Sequence, residues 1–271
     1  MFITRTISGA VLLIIMFASI FAGGNVWLAT TAVLSAAAMF EMFRAFGMQK
    51  SAAAVGGYIC NVLAYCLLYF GLEEYILAAV ILYFIFVMTI YVVKWPAYDV
   101  NNISKALFTF IYTGICMSFL YRIRMADNGI FYIWLVFIGA WGSDTCAYLT
   151  GILIGKHKIP STLSPKKTVE GCLGGVAGAA FIGMLYGLWA ENNLEGSANF
   201  LLIFAITAAV ASVLSQIGDL CASAVKRNCG IKDYGRLIPG HGGIMDRFDS
   251  IIFLTPIIYY LLYILKNTGC I

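Results

Sequence analysis

"YILAAVILYFIFVMTIYVV", residues 75–93, runs for nineteen residues without a single charge. A helix of that length is about 28 Å long, close to the roughly 30 Å thickness of a bilayer's hydrocarbon layer. Runs of this kind recur along the chain, and the whole is 62% hydrophobic and only 11% charged, with a mean hydropathy of +0.90. An average soluble domain carries about 25% charged residues. The roughly ten-residue alternating segments of a membrane β-barrel do not occur. The reading is an all-α polytopic membrane protein.

Working outward from residues 75–93, nine spans are expected, at about 6–23, 25–43, 52–71, 75–94, 105–122, 129–154, 171–190, 199–224 and 250–266. The first has the basic start and small-residue end of a secretory signal, but eight further spans follow it, so it is read as a span. Short connections and the lack of internal repeats predict a single helical bundle. Residues 1–125 would form an N-terminal group of about five spans. Residues 126–271 would form a C-terminal catalytic region with cytoplasmic loops at 155–170 and 225–249. The eight Cys are scattered, mostly in apolar runs, without CxxC or zinc spacing, and are read as small apolar residues with no disulfide framework.

Orientation follows from Lys and Arg, which accumulate on the cytoplasmic side. With these spans, 14 of the 17 cations fall on the side of the N-terminus, Arg5 among them, and only Arg122, Arg124 and Lys266 on the other. Glu73, Glu74, Glu191 and Glu195 fall in the outer loops. The N-terminus is therefore expected in the cytoplasm and the C-terminus outside. Nine of the inner cations crowd into the two loops at 155–170 and 225–249, more than topology alone requires.

Charges also sit where lipid should be. Asp144 lies inside the sixth span and Asp219 inside the eighth. A carboxylate at membrane depth costs about 2.5–3.5 kcal/mol on insertion scales, so it faces a protein interior or water and has a partner. Helical spacing puts Asp219, Ser223 and Lys226 or Arg227 near one face. Asp246 and Asp249, at i and i+3, open the ninth span, and four aspartates can then meet just below the inner surface. Hard oxygen ligands of this kind suit Mg²⁺, which keeps part of its water and is completed by substrate phosphates. The neighbouring Lys166, Lys167, Lys226, Arg227, Lys232, Arg236 and Arg247 are suited to hold phosphate oxygens, Arg as a fork and Lys as a point charge. For Lys166 and Lys167 the plain alternative is positive-inside charge.

The stretch "IPGHGGIMDRFDS" (238–250) adds glycines for a backbone reason. Gly240, Gly242 and Gly243 permit positive φ and close approach of N–H groups to an anion. No GxxxxGK[ST] string occurs, so any phosphate cradle is of another kind. His241 fits three roles: phosphate donor, structural hydrogen bond or general base. A phosphate nucleophile is already ionised near pH 7, which favours the first two. Ser161, Thr162, Ser164 and Thr168 are either phosphate donors or turn residues. Glu170 is expected to cap a helix or pair with a loop cation, and His157 to be a solvated loop residue. Glu41 is expected to pair with Arg44 within its helix.

"SAVKRNCGIKDYGRLIPGHGGIMDRFDS" (223–250) resembles the signature of the phosphatidate cytidylyltransferase, or CDP-diacylglycerol synthase, family. The pattern S-x-x-K-R-x4-K-D-x-G-x5-H-G-G-x-x-D-R-x-D is filled at Ser223, Lys226, Arg227, Lys232, Asp233, Gly235, His241, Gly242, Gly243, Asp246, Arg247 and Asp249. "SDTCAYLTG", "SPKKTVEG" and "QIGDL" extend the resemblance over about residues 140–260. It implies a multi-span helical enzyme, often a homodimer, that makes CDP-diacylglycerol and pyrophosphate from CTP and phosphatidic acid. Mg²⁺ is required, and a second cation is left open. Asp219 and Asp246 correspond to the family's metal-binding acids. Asp144, Lys167, Lys226, Arg227, Lys232, His241 and Asp249 correspond to other site positions. The implied location is a bacterial inner membrane with the active site cytoplasmic, and no nucleic-acid partner is expected. Two rivals lack their marks: a transferase consuming CDP-lipids would show DGxxAR followed by GxxxDxxxD, and a transporter would show inverted repeats.

Overall fold

The computed structural model describes residues 2–159, 163–194 and 199–271, with side chains from residue 6 onward. Ser161, Thr162, Glu195 and the side chain of Arg5 lie outside the described residues. Helices follow one another as α1 (Phe2–Ala22), α2 (Gly24–Ala45), α3 (Ala52–Tyr69), α4 (Ile76–Val93), α5 (Val100–Thr109), α6 (Cys116–Met125), α7 (Gly129–Phe137), α8 (Ser143–Ile154), α9 (Val169–Ala190), α10 (Phe200–Asn228) and α11 (Met245–Asn267). A π-helical turn at Phe110–Ile115 joins α5 to α6, and another at Ile138–Gly142 joins α7 to α8, so each pair forms one continuous span. Among the described residues eight helical stretches are long and apolar enough to cross a membrane, and α1 adds a shorter apolar helix. The helical membrane fold read from the sequence is the fold observed. Isolated bridges at Lys158–Thr168 and Ile238–Gly242 are the extent of β pairing among the described residues.

Large apolar side chains stay exposed along the spans; on α4 they include Leu77, Ile81, Leu82, Phe84, Ile85 and Val92. A surface so apolar is stable against lipid rather than water. Backbone groups inside such a layer must be satisfied within the chain, which is why the spans are helices. Outside them, side chains start the helices: Ser51 accepts the Ala54 N–H before α3, and Asp99 accepts the Asn102 N–H before α5. That bond, with a second from Asn101, holds the Asp99 carboxyl below its usual range.

The chain packs as two compact units. The first is residues 1–121 with 228–248; the second is residues 122–227 with 249–271. The unforeseen part is that the glycine-rich loop packs with the N-terminal helices, and that the division passes through α11 between Phe248 and Asp249.

In the first unit the core is Met39, Phe43, Tyr83, Val87 and Phe110. Polar groups buried there are bonded across helices. The Trp27 indole donates to Leu120 O at 3.0 Å, Ser35 donates to Asn61 and to Thr113 O, and the Tyr83 hydroxyl donates to Ala53 O. In the second unit α9 presents a buried stripe of Gly171, Gly175, Ala179, Gly183 and Gly187 at every fourth residue. Small residues at this spacing let helix backbones approach closely where no hydrophobic force separates helix from lipid. A Cβ on Gly175 would stand 3.1 Å from the Ala147 Cβ on α8 and 3.2 Å from Ser143 O. A Cβ on Gly183 would stand 2.6 Å from the Ala208 Cβ on α10. The stripe thus holds α8, α9 and α10 together.

Gly175→Leu should separate α8 from α9, at an overpacking cost of about 1–3 kcal/mol. Thermal unfolding in detergent should show a clear loss of Tm. Leu173→Ala, at a lipid-facing position 67% exposed, serves as the control and should melt near the parent. Equal melting of Gly175→Leu and the parent would overturn the account of the stripe.

Candidate active site

In the second unit the polar cluster is built by α8, α10 and the loop before α9. Lys167 Nζ donates to Asp219 Oδ2 at 2.6 Å, with both side chains partly exposed. Asp144, on the first turn of α8 and exposed, lies near enough for both charges to act on it. Three polar ties hold these residues in place. Ser143 and Ser212 share a buried hydrogen bond of 2.6 Å between α8 and α10. Gln216, one turn before Asp219, donates to Cys172 O on α9 and to Ser212. Thr168 accepts the Gly171 N–H and so starts α9 directly after Lys167. The π-helical turn at Ile138–Gly142 lies immediately before Ser143, where Gly139 packs against Ala211 so closely that a Cβ has no room.

The same loop is braced by Glu170. Its carboxylate accepts the His157 N–H at 3.1 Å and pairs with the His157 ring at 2.5 Å. Glu170 thus braces the loop through His157, which, 80% exposed, is not merely solvated. Lys166 is exposed, Ser223 and Lys226 are half-buried, Arg227 is exposed, and Asp249 is buried with an oxygen accepting the Ser250 N–H. Of the four aspartates expected to meet, Asp144 and Asp219 share this cluster.

In the first unit the glycine-rich loop is folded on itself and on α1 and α2. Ile238 N–H donates to Gly242 O and His241 N–H to Ile238 O, both at 2.9 Å, closing a tight turn. Gly242 sits at φ +85°, and a Cβ there would stand 2.8 Å from Asp246 Oδ2, so both conformation and space demand glycine. Asp246 Oδ2 accepts the Tyr234 N–H at 2.8 Å and the Gly243 N–H at 3.0 Å. The Gly243 N–H, expected to face an anion, is thus turned to the protein's own carboxylate. Arg247 is exposed and its Nε donates to His241 O. Lys232 and Arg236 are exposed. Ser8 directs its one hydroxyl proton to Pro239 O at 2.9 Å. Its hydroxyl also lies 3.1 Å from His241 Nδ1, within hydrogen-bond distance. His241 serves as a tie between the loop and α1.

Glu41 is the residue the sequence reading placed wrongly. It is 3% exposed, and its Oε2 accepts the Met245 N–H at 2.9 Å, at the start of α11. Gly235 and Gly243 press against its carboxylate so closely that neither has room for a Cβ. Arg44 reaches the same loop, donating from Nη2 to Tyr234 O at 2.6 Å. Instead of simply neutralising each other within α2, the two charges hold the signature loop. A charged residue three positions from its opposite reads as an intrahelical pair, and nothing local in the sequence shows the loop returning over it.

Within either unit, among the described residues, no three His, Cys, Asp or Glu side chains are arranged to hold a metal ion. A cation would complete its shell from water and ligand phosphates, the habit of Mg²⁺, and in the second unit the hard carboxylate oxygens of Asp144 and Asp219 suit it. All eight cysteines are free; Cys60 is buried, while Cys66, Cys221 and Cys270 are exposed.

Residues 3–265 match the family model described as "Cytidylyltransferase family". The chain belongs to the cytidylyltransferase family. Similar members carry the name phosphatidate cytidylyltransferase. The protein from Staphylococcus saprophyticus is 40% identical over 156 residues, 58% of this chain and 57% of the relative. That from Staphylococcus haemolyticus is 38% identical over 168 residues, 59% of this chain and 63% of the relative. That from Bacillus subtilis is 40% identical over 153 residues, 56% of this chain and 55% of the relative. The matched stretches span a little over half the length of these relatives. As a cytidylyltransferase-family member with this run of apolar helices, the chain is an integral membrane protein.

Replacing Glu41 by Ala leaves the buried Met245 N–H without its acceptor, a loss of about 1–3 kcal/mol. Glu41→Ala should melt earlier and expose residues 229–244 to limited proteolysis, and Glu41→Gln, which keeps an acceptor, should do so less. An Ala variant with unchanged melting and cleavage would show that Glu41 does not support the loop.

Proposed function

We propose that this chain is a phosphatidate cytidylyltransferase: it transfers CMP from CTP to phosphatidic acid, giving CDP-diacylglycerol and pyrophosphate in phospholipid synthesis. The observation that carries the reading is the Lys167–Asp219 pair beside Asp144, with both carboxylates inside apolar spans of a cytidylyltransferase-family chain. The names of its relatives support the choice of substrate. The acceptor is anchored by its acyl chains at the membrane surface and the donor is a soluble polyanion, so the reaction belongs at headgroup level.

An oxygen of the lipid phosphate attacks the α-phosphorus of CTP, a new P–O bond forms, and the bond to the β-phosphate oxygen breaks as pyrophosphate leaves. The lipid phosphate is ionised near pH 7, so no proton need be removed to make it a nucleophile. The main obstacle is anion meeting anion. Lys167, Lys226, Arg227, Lys232, Arg236 and Arg247 are assigned to phosphate oxygens, where fixed cations offset charge that spreads over them. Lys166 and Ser223 are assigned to substrate phosphate as further donors, while the turn at Gly242 and Gly243, whose Gly243 N–H is taken by Asp246, is assigned to holding that carboxylate. His241 pairs through Nδ1 with the Ser8 hydroxyl and is assigned to orienting the loop. Asp219 and Asp246 are assigned as Mg²⁺ ligands, with Asp144 and Asp249 supporting the site's charge. Mg²⁺, when bound, neutralises phosphate charge and draws electron density from the α-phosphorus. Lys167, through its bond to Asp219, keeps that carboxylate aimed.

The same reading places the protein in a bacterial inner membrane, with the N-terminus and active site cytoplasmic, the C-terminus outside, and the working form a homodimer.

Purified protein supplied with phosphatidic acid, labelled CTP and Mg²⁺ should form labelled CDP-lipid. Asp219→Asn and Asp246→Asn should each lower kcat by at least about a hundredfold, the scale of losing one electrostatic stabiliser. Turnover equal to the parent in either variant, or undiminished by EDTA, would remove the metal assignment. Orientation is read by reporters fused after Ile271. Alkaline phosphatase should be active and a green fluorescent protein dark, and the opposite pattern would invert the topology.

A further inference from the structure

Two cavities of the first unit meet at Arg44 and Arg236, which line both. One, of about 590 Å³, is polar and also lined by Lys232, Asp233 and Tyr234. The other, of about 460 Å³, runs along α2 past Ala37, Phe40 and Glu41, with Leu237 in its wall. Arg44 stands in the last turn of α2, and Phe40 and Ala37 lie four and seven residues before it, about 6 and 10 Å deeper along the helix axis. The Arg44 guanidinium lies 5.6 Å from the Phe40 ring centroid, while its Nη2 donates to Tyr234 O. That carbonyl takes one of the five N–H donors of the fork. Leu237 is 64% exposed, whereas the adjacent Ile238 is buried. An apolar side chain so placed beside Arg236 is suited to lie against an acyl chain.

We propose that this paired cavity is the seat of the lipid substrate. A phosphomonoester head lies in the polar cavity against Arg44, Arg236 and Lys232, and one acyl chain runs in the groove over Phe40 and Ala37. The proposal rests on the phosphatidate reading for the identity of the lipid. Three cations and one Asp facing one cavity favour a dianionic head over a singly charged phosphodiester, and Arg forks match phosphate oxygens pairwise. A nucleotide is the competing phosphate source. It would leave the apolar groove below Arg44 unfilled, and for that reason the groove is assigned to the lipid.

The test joins a binding readout to a kinetic one, both on the full chain in nanodiscs. Leu237→p-benzoylphenylalanine should crosslink phosphatidic acid on illumination, and excess phosphatidic acid, but not phosphatidylcholine or CTP, should suppress the adduct. Arg44→Gln, which keeps a donor for Tyr234 O, and Arg236→Gln should each raise KM for phosphatidic acid at least about tenfold, with KM for CTP little changed. Ala37→Trp, which fills the groove, should raise KM for dioleoyl phosphatidic acid but not for the dihexanoyl lipid, whose chains end before it. Crosslinking suppressed by CTP, a rise in KM for CTP instead of the lipid, or an Ala37→Trp effect independent of chain length would each overturn the proposal. If the parent protein makes no CDP-lipid while the selective crosslink persists, the lipid seat stands and the reaction assignment fails. The converse pattern, turnover without the crosslink, fails the seat alone.

Discussion

A carboxylate inside a hydrocarbon layer persists only where water or another group shares its charge, and the second unit is arranged around meeting that condition at Asp144 and Asp219. Lys167 meets it directly with a 2.6 Å bond to Asp219. For that bond to form, the loop before α9 must end above α10, and α8, α9 and α10 must stand close enough for the three residues to face one another. The glycine stripe of α9 supplies the closeness, and the Ser143–Ser212 and Gln216–Cys172 bonds supply the register. Each is a polar or steric device in a setting where apolar packing cannot distinguish a helix neighbour from lipid.

The first unit handles charge in another way. Glu41 is buried under the signature loop, and its carboxylate is taken up by the Met245 N–H, one of the unpaired donors every helix start exposes. Asp246 does similar work from the other side, receiving the N–H groups of Tyr234 and Gly243. A loop rich in glycine has high conformational entropy when free, so a fixed shape requires several such ties. Ser8, Glu41, Arg44 and Asp246 provide them, and the cations Lys232 and Arg236 are thereby left on its exposed side. Some residues of the family's signature thus shape the backbone, and that role is separate from any contact with substrate.

Much of the fold was legible in the chain. Span number, helix class and the two charged loops follow from apolar run length and from the rarity of charge, both local properties. Asp144 and Asp219 were legible as charges in the wrong solvent, Lys167 as a loop cation, and the glycine-rich loop as a motif. Glu41 was not, because its neighbour Arg44 offered a sufficient local partner. The glycine stripe was also passed over: glycines four apart in an apolar run have meaning only once a second helix lies against them. The assignment of residues 228–248 to the N-terminal unit depends on contacts more than 180 positions apart, such as Arg44 with Tyr234 and Ser8 with Pro239.

By itself the sequence determined that this is a helical membrane protein of the composition and motif expected for phosphate chemistry, since solvent preference and helix length act residue by residue. The tertiary structure decided which charges are partners. It gave Asp219 to Lys167, Glu41 to the α11 start and Arg44 to the signature loop. A hydrogen bond needs its partners within about 3 Å, and only the folded chain sets that distance.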